Sequence, residues 1–170
     1  MVSDEDRQTV LDELHRLRNR VPQLTGALAA GVDGLVVAHD TPGVDPEGLS
    51  ALTAASLGVA VRVADATGHG GFRELLVRGE RGYVATYAAG RTAVLTLLAQ
   101  DRVNVGRLHL EGRRSGARIG ELLDAVEAAA RAARPTGRPL GAVSGAPPIR
   151  PRPNRTPRTT SADARTATDS

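Results

Sequence analysis

Along this chain the spacing of apolar residues switches between helical and strand-like rhythms, and each switch marks a predicted element. Over residues 6–20, Val10, Leu11, Leu14 and Leu17 fall at i, i+1, i+4 and i+7, the stripe of a helix with one buried face. Asp4, Glu5 and Asp6 stand at its positive dipole end and Arg16, Arg18 and Arg20 at the other. Pro22 ends it, because the residue before a proline is pushed out of the helical region. Two short apolar runs, 24–30 and 35–39, then flank Gly31-Val32-Asp33-Gly34, where Asp-Gly suits a tight hairpin. Pro42, Gly43 and Pro46 make the next stretch a loop, with Asp45 placed to cap a helix that has proline at its first position.

That second helix, over 47–65, has an unusual composition. Leu49, Leu52, Leu57, Val59, Val61 and Val63 are large enough to serve the domain's own core. Ala51, Ala54, Ala55 and Gly58 form a strip of small side chains at helical spacing, which would let another helix approach closely. The pattern alone leaves two readings open, an interface strip or simply an alanine-rich helix. Gly68-His69-Gly70-Gly71 is a joint, followed by three strands over 72–78, 83–88 and 92–98, separated by glycine-bearing turns. By the period of two, Phe72, Glu74, Leu76 and Arg78 share one face, and Arg73, Leu75 and Val77 the other. The third of these strands, nearly all apolar, is expected at the sheet centre. A last helix runs to about Arg134, anchored by Leu108, Ile119, Leu122, Leu123 and Val126. Gly112, Gly116 and Gly120 weaken it by about 1 kcal/mol each relative to alanine, so its early part is either bent or dependent on packing.

The order α-β-β-α-β-β-β-α predicts an α/β (α+β) fold, helices around one antiparallel sheet. From Pro135 onward the composition changes. Seven of the ten prolines lie there, with Leu140 and Ile149 as the only leucine or isoleucine. Such a segment buries too little surface to offset chain entropy, so 135–170 is expected to be disordered. Pro147 to Pro153 could form a polyproline helix read by a partner, although a solvated basic tail is the simpler expectation.

Charge divides the same way. All 22 basic residues are arginine; eight lie from Arg131 onward beside two acids, leaving 14 against 17 acids before it. The predicted fold is thus mildly acidic, and only Phe72, Tyr83 and Tyr87 are aromatic, which argues against a nucleic-acid surface. No run approaches the ~20 apolar residues of a membrane span, and the acidic start lacks a signal-peptide layout, so no membrane insertion and a cytoplasmic location are expected. Arginine in place of every lysine, with abundant alanine and glycine, reads as the codon bias of a GC-rich bacterial genome rather than as function.

Candidate chemistry is sparse. With no cysteine there is no disulfide, thiolate metal site or cysteine nucleophile. With no lysine, the glycines at 68–71 cannot complete a Walker loop, and Schiff-base chemistry is excluded. His15, His39, His69 and His109 have no metal-ligand spacing, although His39 and His69, both at element ends, could converge. No Gly-x-Ser-x-Gly elbow is present. Arg78, Arg81 and Arg91, at strand ends and hairpin tips, could in principle reach a phosphoryl group in trans, but solubility and edge protection explain them more simply. A non-enzymatic protein without cofactor or metal, acting through its surfaces, is expected.

The ordered set of motifs resembles Roadblock dynein light-chain-like domains. Val21-Pro22, Gly26-Ala27-Leu28 and Val32-Asp33-Gly34-Leu35-Val36 are similar to the opening of such domains, and 49–55 ending in Gly58 to their second helix. Arg78-Gly79-Glu80-Arg81-Gly82-Tyr83, Ala89-Gly90 and Asn104-Val105-Gly106 match in turn. The resemblance covers 6–134 and implies a profilin-like five-stranded sheet flanked by helices, with 135–170 outside it. It implies pairing with a second copy or a sibling Roadblock-like domain through the second helix and third strand. On this chain it assigns Ala51, Ala54, Ala55 and Gly58 to helix contact, and Phe72, Glu74, Leu76 and Arg78 to the strand seam. It further implies a small Ras-like GTPase as partner, regulated by shifting its switch regions without an inserted arginine. A nucleotide-independent scaffold for a signalling or motor complex is the alternative. A small-molecule sensor is disfavoured by the nearly all-aliphatic core.

Overall fold

Residues 2–133 are described by the computed structural model. The elements follow the predicted order: α1 (Asp4–Arg20), β1 (Leu24–Gly31), β2 (Val36–Asp40), α2 (Pro46–Ala66), β3 (Glu74–Gly79), β4 (Gly82–Ala89), β5 (Ala93–Gln100) and α3 (Val105–Ala133). The tail expected over 135–170, its polyproline stretch and Arg134 lie outside the described residues.

Side chains that accept from free backbone amides begin every helix. Ser3 and Asp6 form a reciprocal capping box at α1, with the Asp6 carboxylate accepting from the Ser3 amide at 3.1 Å. Asp45 accepts from the Gly48 amide at 2.9 Å and Pro46 opens α2, as predicted. Asn104 does the same for α3, accepting from the Arg107 amide at 2.9 Å.

The five strands form one antiparallel sheet in the order β2-β1-β5-β4-β3. β5 is central, as its continuous apolar run predicts, and β2 and β3 are the edges. Side chains alternate between the two faces. On one face Ala27, Ala29, Ala85, Tyr87, Leu95 and Leu97 meet Val10, Leu14 and Leu17 of α1 and Leu108 and Ile119 of α3, forming the main core.

The glycines of α3 find their purpose here. The Tyr87 ring fills the space a side chain at Gly112 would need, and the backbone of Gly90 fills that at Gly120. A Cβ at Gly116 would sit 2.9 Å from the Ala88 carbonyl oxygen. The helix runs unbroken for 29 residues, and the helical propensity lost at these positions is offset by close docking on β4.

A buried polar cluster joins α1 to α3. Glu13, 1% exposed, accepts from Arg20 Nη2 at 2.9 Å, Ser115 Oγ at 2.8 Å and Arg118 Nη1 at 3.1 Å. Arg20 also donates from Nε to Glu111 at 2.7 Å, so one guanidinium bridges both carboxylates. Burial pushes the Glu13 carboxyl up, but the three hydrogen bonds and the Arg20 charge outweigh it and hold the group below its ordinary value.

The other face of the sheet is covered by α2, and here the structure departs from expectation. Leu57 is buried, but Leu52, Val59, Val61 and Val63, expected to serve the core, are exposed. The inner side of α2 is instead Ser50, Thr53 and Leu57. Ser50 donates to the Gly34 carbonyl at 2.7 Å, and Thr53, Thr96 and Thr86 form a chain of hydroxyls beneath the helix. Small hydroxyl residues take most of this side, so Leu52, Val59, Val61 and Val63 are left to face outward.

Among the described residues, α2 is also long and apolar enough by length and composition to cross a bilayer, contrary to the expectation that no segment would be. Its many alanines and valines raise its hydropathy without a continuous run of large residues. Its ends, however, are tied to β2 and β3, opposite edges of the same sheet. Spanning a membrane would require the sheet to come apart.

Candidate functional site

The exposed apolar residues of α2 are ordered. Leu52, Val59 and Val63 lie at i, i+7 and i+11 on one face and are 69%, 64% and 57% exposed. Covering what remains exposed of each would contribute about 1–2 kcal/mol. Ala51, Ala55 and Gly58, three of the predicted strip, are exposed beside them, and the space next to Gly58 is open. Ala54, the fourth, is half-buried, its methyl packed towards Gly34 at the hairpin.

β3 borders this surface and, among the described residues, pairs only with β4, so its other edge is left with free amides and carbonyls. Its register decides where the predicted seam residues lie. Glu74, Leu76 and Arg78 stand opposite Tyr87, Ala85 and Tyr83, on the face covered by α1 and α3. Leu75 and Val77 stand opposite Thr86 and Val84 and share the α2 face. Phe72 precedes the strand; the chain is still turning through Gly68 and Gly70, both at positive φ, and pairing with β4 begins at Arg73.

Phe72 instead lines a groove of about 710 Å³ between the C-terminal half of α2 and the start of β3. Val59, Val63 and Leu75 line it too, so the helix stripe and the strand are continuous across it. Sequence reasoning missed Leu52, Val59, Val63, Leu75 and Val77 as surface residues. The i, i+7, i+11 spacing was the available signal, but it marks a shared face without saying which way that face points.

On the opposite side of β3, Glu74 is already engaged. Arg113 of α3 grips both its oxygens at 2.7 Å, and His109 Nδ1 lies 3.7 Å from it and 3.1 Å from the Tyr87 hydroxyl. The Arg113 hydrogen bonds hold the Glu74 carboxyl below its ordinary range, and burial pushes the Tyr87 phenol well above its own. The group clamps the edge strand to α3. Arg78 lies over the Tyr83 ring, 5.6 Å from its centroid, a cation–π contact at the end of the same strand.

The remaining candidates stay apart. His39 lies on β2 and His69 precedes β3, at opposite sheet edges, so they do not converge. His15 is 3.8 Å from Asp40, which also pairs with Arg18. Arg91 is drawn to Asp124 of α3, at 3.9 Å. Among the described residues no group of three or more histidines and carboxylates is arranged to hold a metal.

Known proteins share this architecture. The structure of MglB in a tetrameric arrangement matches with a TM-score of 0.69 at 20% identity, covering 74% of this chain and 95% of that one. Gliding protein MglB from Thermus thermophilus matches at 0.68 and 20% identity, covering 74% and 96%. A Roadblock/LC7 domain from Streptomyces avermitilis gives 0.62 and 22% identity, covering 67% and 97%. An uncharacterised protein of Methanocaldococcus jannaschii is 30% identical over 113 residues, 66% of this chain and 95% of that one. The Roadblock/LC7 domain family itself matches residues 10–99, from the middle of α1 to the end of β5. With this sheet order and this helix placement, the chain belongs to the Roadblock/LC7 domain family.

Proposed function

We propose that this chain is a dimeric regulatory module that binds a small Ras-like GTPase and modulates its nucleotide cycle. The observation that carries the reading is the unpartnered apolar stripe of α2 running beside the free edge of β3. A second copy, or a sibling domain, would cover the stripe with its own α2 and pair with the strand edge. The stripe alone is marginal, because association costs on the order of 4–15 kcal/mol. Backbone pairing along β3, at about 1 kcal/mol net per hydrogen bond, supports the rest.

In this reading Ala51, Ala55 and Gly58 allow two helices to approach, and the paired helices form a platform for the GTPase. The platform binds one nucleotide state of its partner and shifts the switch regions by that difference in affinity. It acts in the cytoplasm, without an enzymatic step of its own. The alternative is a scaffold subunit indifferent to nucleotide.

The test is GTP turnover by a small Ras-like GTPase from the same genome, with and without this protein, alongside binding to the GTP and GDP forms. Faster turnover with preference for the GTP form supports an activator. Binding that ignores nucleotide supports the scaffold. Absence of binding to either form removes the GTPase reading, and light scattering on the same sample reports dimer or monomer independently.

A further inference from the structure

On the side of the sheet away from α2, the α1–α3 seam holds more positive than negative charge. Two carboxylates, Glu13 and Glu111, are shared by Arg16, Arg20, Arg114 and Arg118. Arg20 bridges the two carboxylates, and Arg118 hydrogen-bonds Glu13 at 3.1 Å. Arg16 and Arg114 lie 3.7 and 3.6 Å from their carboxylates, close enough for attraction but beyond a hydrogen bond. Both guanidiniums are more than half exposed, so their donors face outward with four positive charges gathered on two negative ones.

Arg107, Leu110, Arg114 and Arg118 follow one another along α3 at i, i+3, i+7 and i+11, a single outward stripe. Leu110 is 58% exposed in the midst of it. Asp12 lies four residues before Arg16 along α1 and Glu121 three residues beyond Arg118 along α3, each one helical turn away. An apolar side chain set among unsaturated guanidiniums matches a peptide with carboxylates around an apolar residue.

We propose that the α1–α3 seam, with Arg16, Arg114 and Leu110 at its rim, docks an acidic segment of a partner protein through an apolar anchor. Carboxylates of the segment meet the outward donors of Arg16 and Arg114, and its apolar side chain covers Leu110. The fold outside the patch disfavours an extended polyanion. Up to residue 130 the acids outnumber the arginines, and the N-terminal turn of α1 carries Asp4, Glu5 and Asp6. This docking is independent of the GTPase reading and lies on the opposite side of the sheet from α2.

The test uses the full chain and a fluorescent peptide of alternating glutamates around a central leucine, read by anisotropy at two salt concentrations. Arg16→Gln/Arg114→Gln should weaken binding at least tenfold without disturbing the fold, since among the described residues neither side chain makes a hydrogen bond. Leu110→Ser should weaken it about fivefold with net charge unchanged. The arginine-rich segment from Arg131 onward is common to all these proteins, so its attraction cancels in the comparison. Arg81→Gln, at the tip between β3 and β4, should leave binding unchanged. Equal loss with Arg81→Gln, or no loss with the double variant, overturns the site. An unaltered affinity in Leu110→Ser, or tighter binding of an oligonucleotide or anionic vesicle at the same rim, overturns the acidic peptide as occupant.

Discussion

The two faces of this sheet are finished in opposite ways. Beneath α1 and α3 the apolar side chains of β1, β4 and β5 are covered, α3 presses glycine against backbone, and a buried glutamate is saturated with donors. Beneath α2 the contact is small and hydroxyl-rich, while Leu52, Val59, Val61 and Val63 of the helix point away. The first face closes the fold. The second leaves apolar surface uncovered among the described residues, and a domain can carry such surface because its other face supplies the stability.

The comparison breaks most sharply at Glu13. Glu13→Ala leaves Arg20 and Ser115 facing a void and should cost about 3–5 kcal/mol, measured by urea unfolding. Gly120→Ala drives a methyl into the Gly90 backbone and should cost about 1–3 kcal/mol, despite the gain in helix propensity. Acid acts on the same closed face. Glu13 and Glu74 are held below the ordinary 4.5 when folded, so on acidification the unfolded chain takes up protons first. Their contribution is complete above about pH 5 and lost as pH falls through the lowered values. Glu13→Gln should flatten this part of the pH–stability curve.

On the open face the signs change. Gly58→Ala meets nothing within 4 Å and should stabilise the dilute chain by about 0.5–1 kcal/mol through helix propensity, while loosening self-association. Leu52→Ser, Val59→Ser and Val63→Ser should each move the dilute chain's stability by less than about 0.5 kcal/mol. Combined, they should convert the proposed dimer into monomers by sedimentation. If the triple variant unfolds instead, the contrast between the faces is wrong.

Much of this contrast was legible in the sequence, but unevenly. The cap Asp45-Pro46, the Asp-Gly hairpin and the central strand are local or compositional signals, and they appear where expected. The α3 glycines were legible as a weakness and not as a docking surface, because their partners Tyr87, Ala88 and Gly90 lie at least 25 residues away for the first pair, Tyr87 and Gly112. The large aliphatics of α2 were assigned to the core for a related reason. Periodicity shows that Leu52, Val59 and Val63 share a face, and only the threonine chain on the other side shows that this face is outside. Glu74 was placed on the correct strand, but its grip by Arg113 depends on how α3 lies across the sheet.

The glycine stripe of α3 also bears on the order of events during synthesis. Three glycines within three turns make this helix a poor structure in isolation, since each costs about 1 kcal/mol of helical stability. The groove that receives them is made by β4 and its turn into β5, both translated earlier. The seat of α3 is therefore built from chain that precedes it, and its three glycines fit only where β4 and the turn into β5 are already paired.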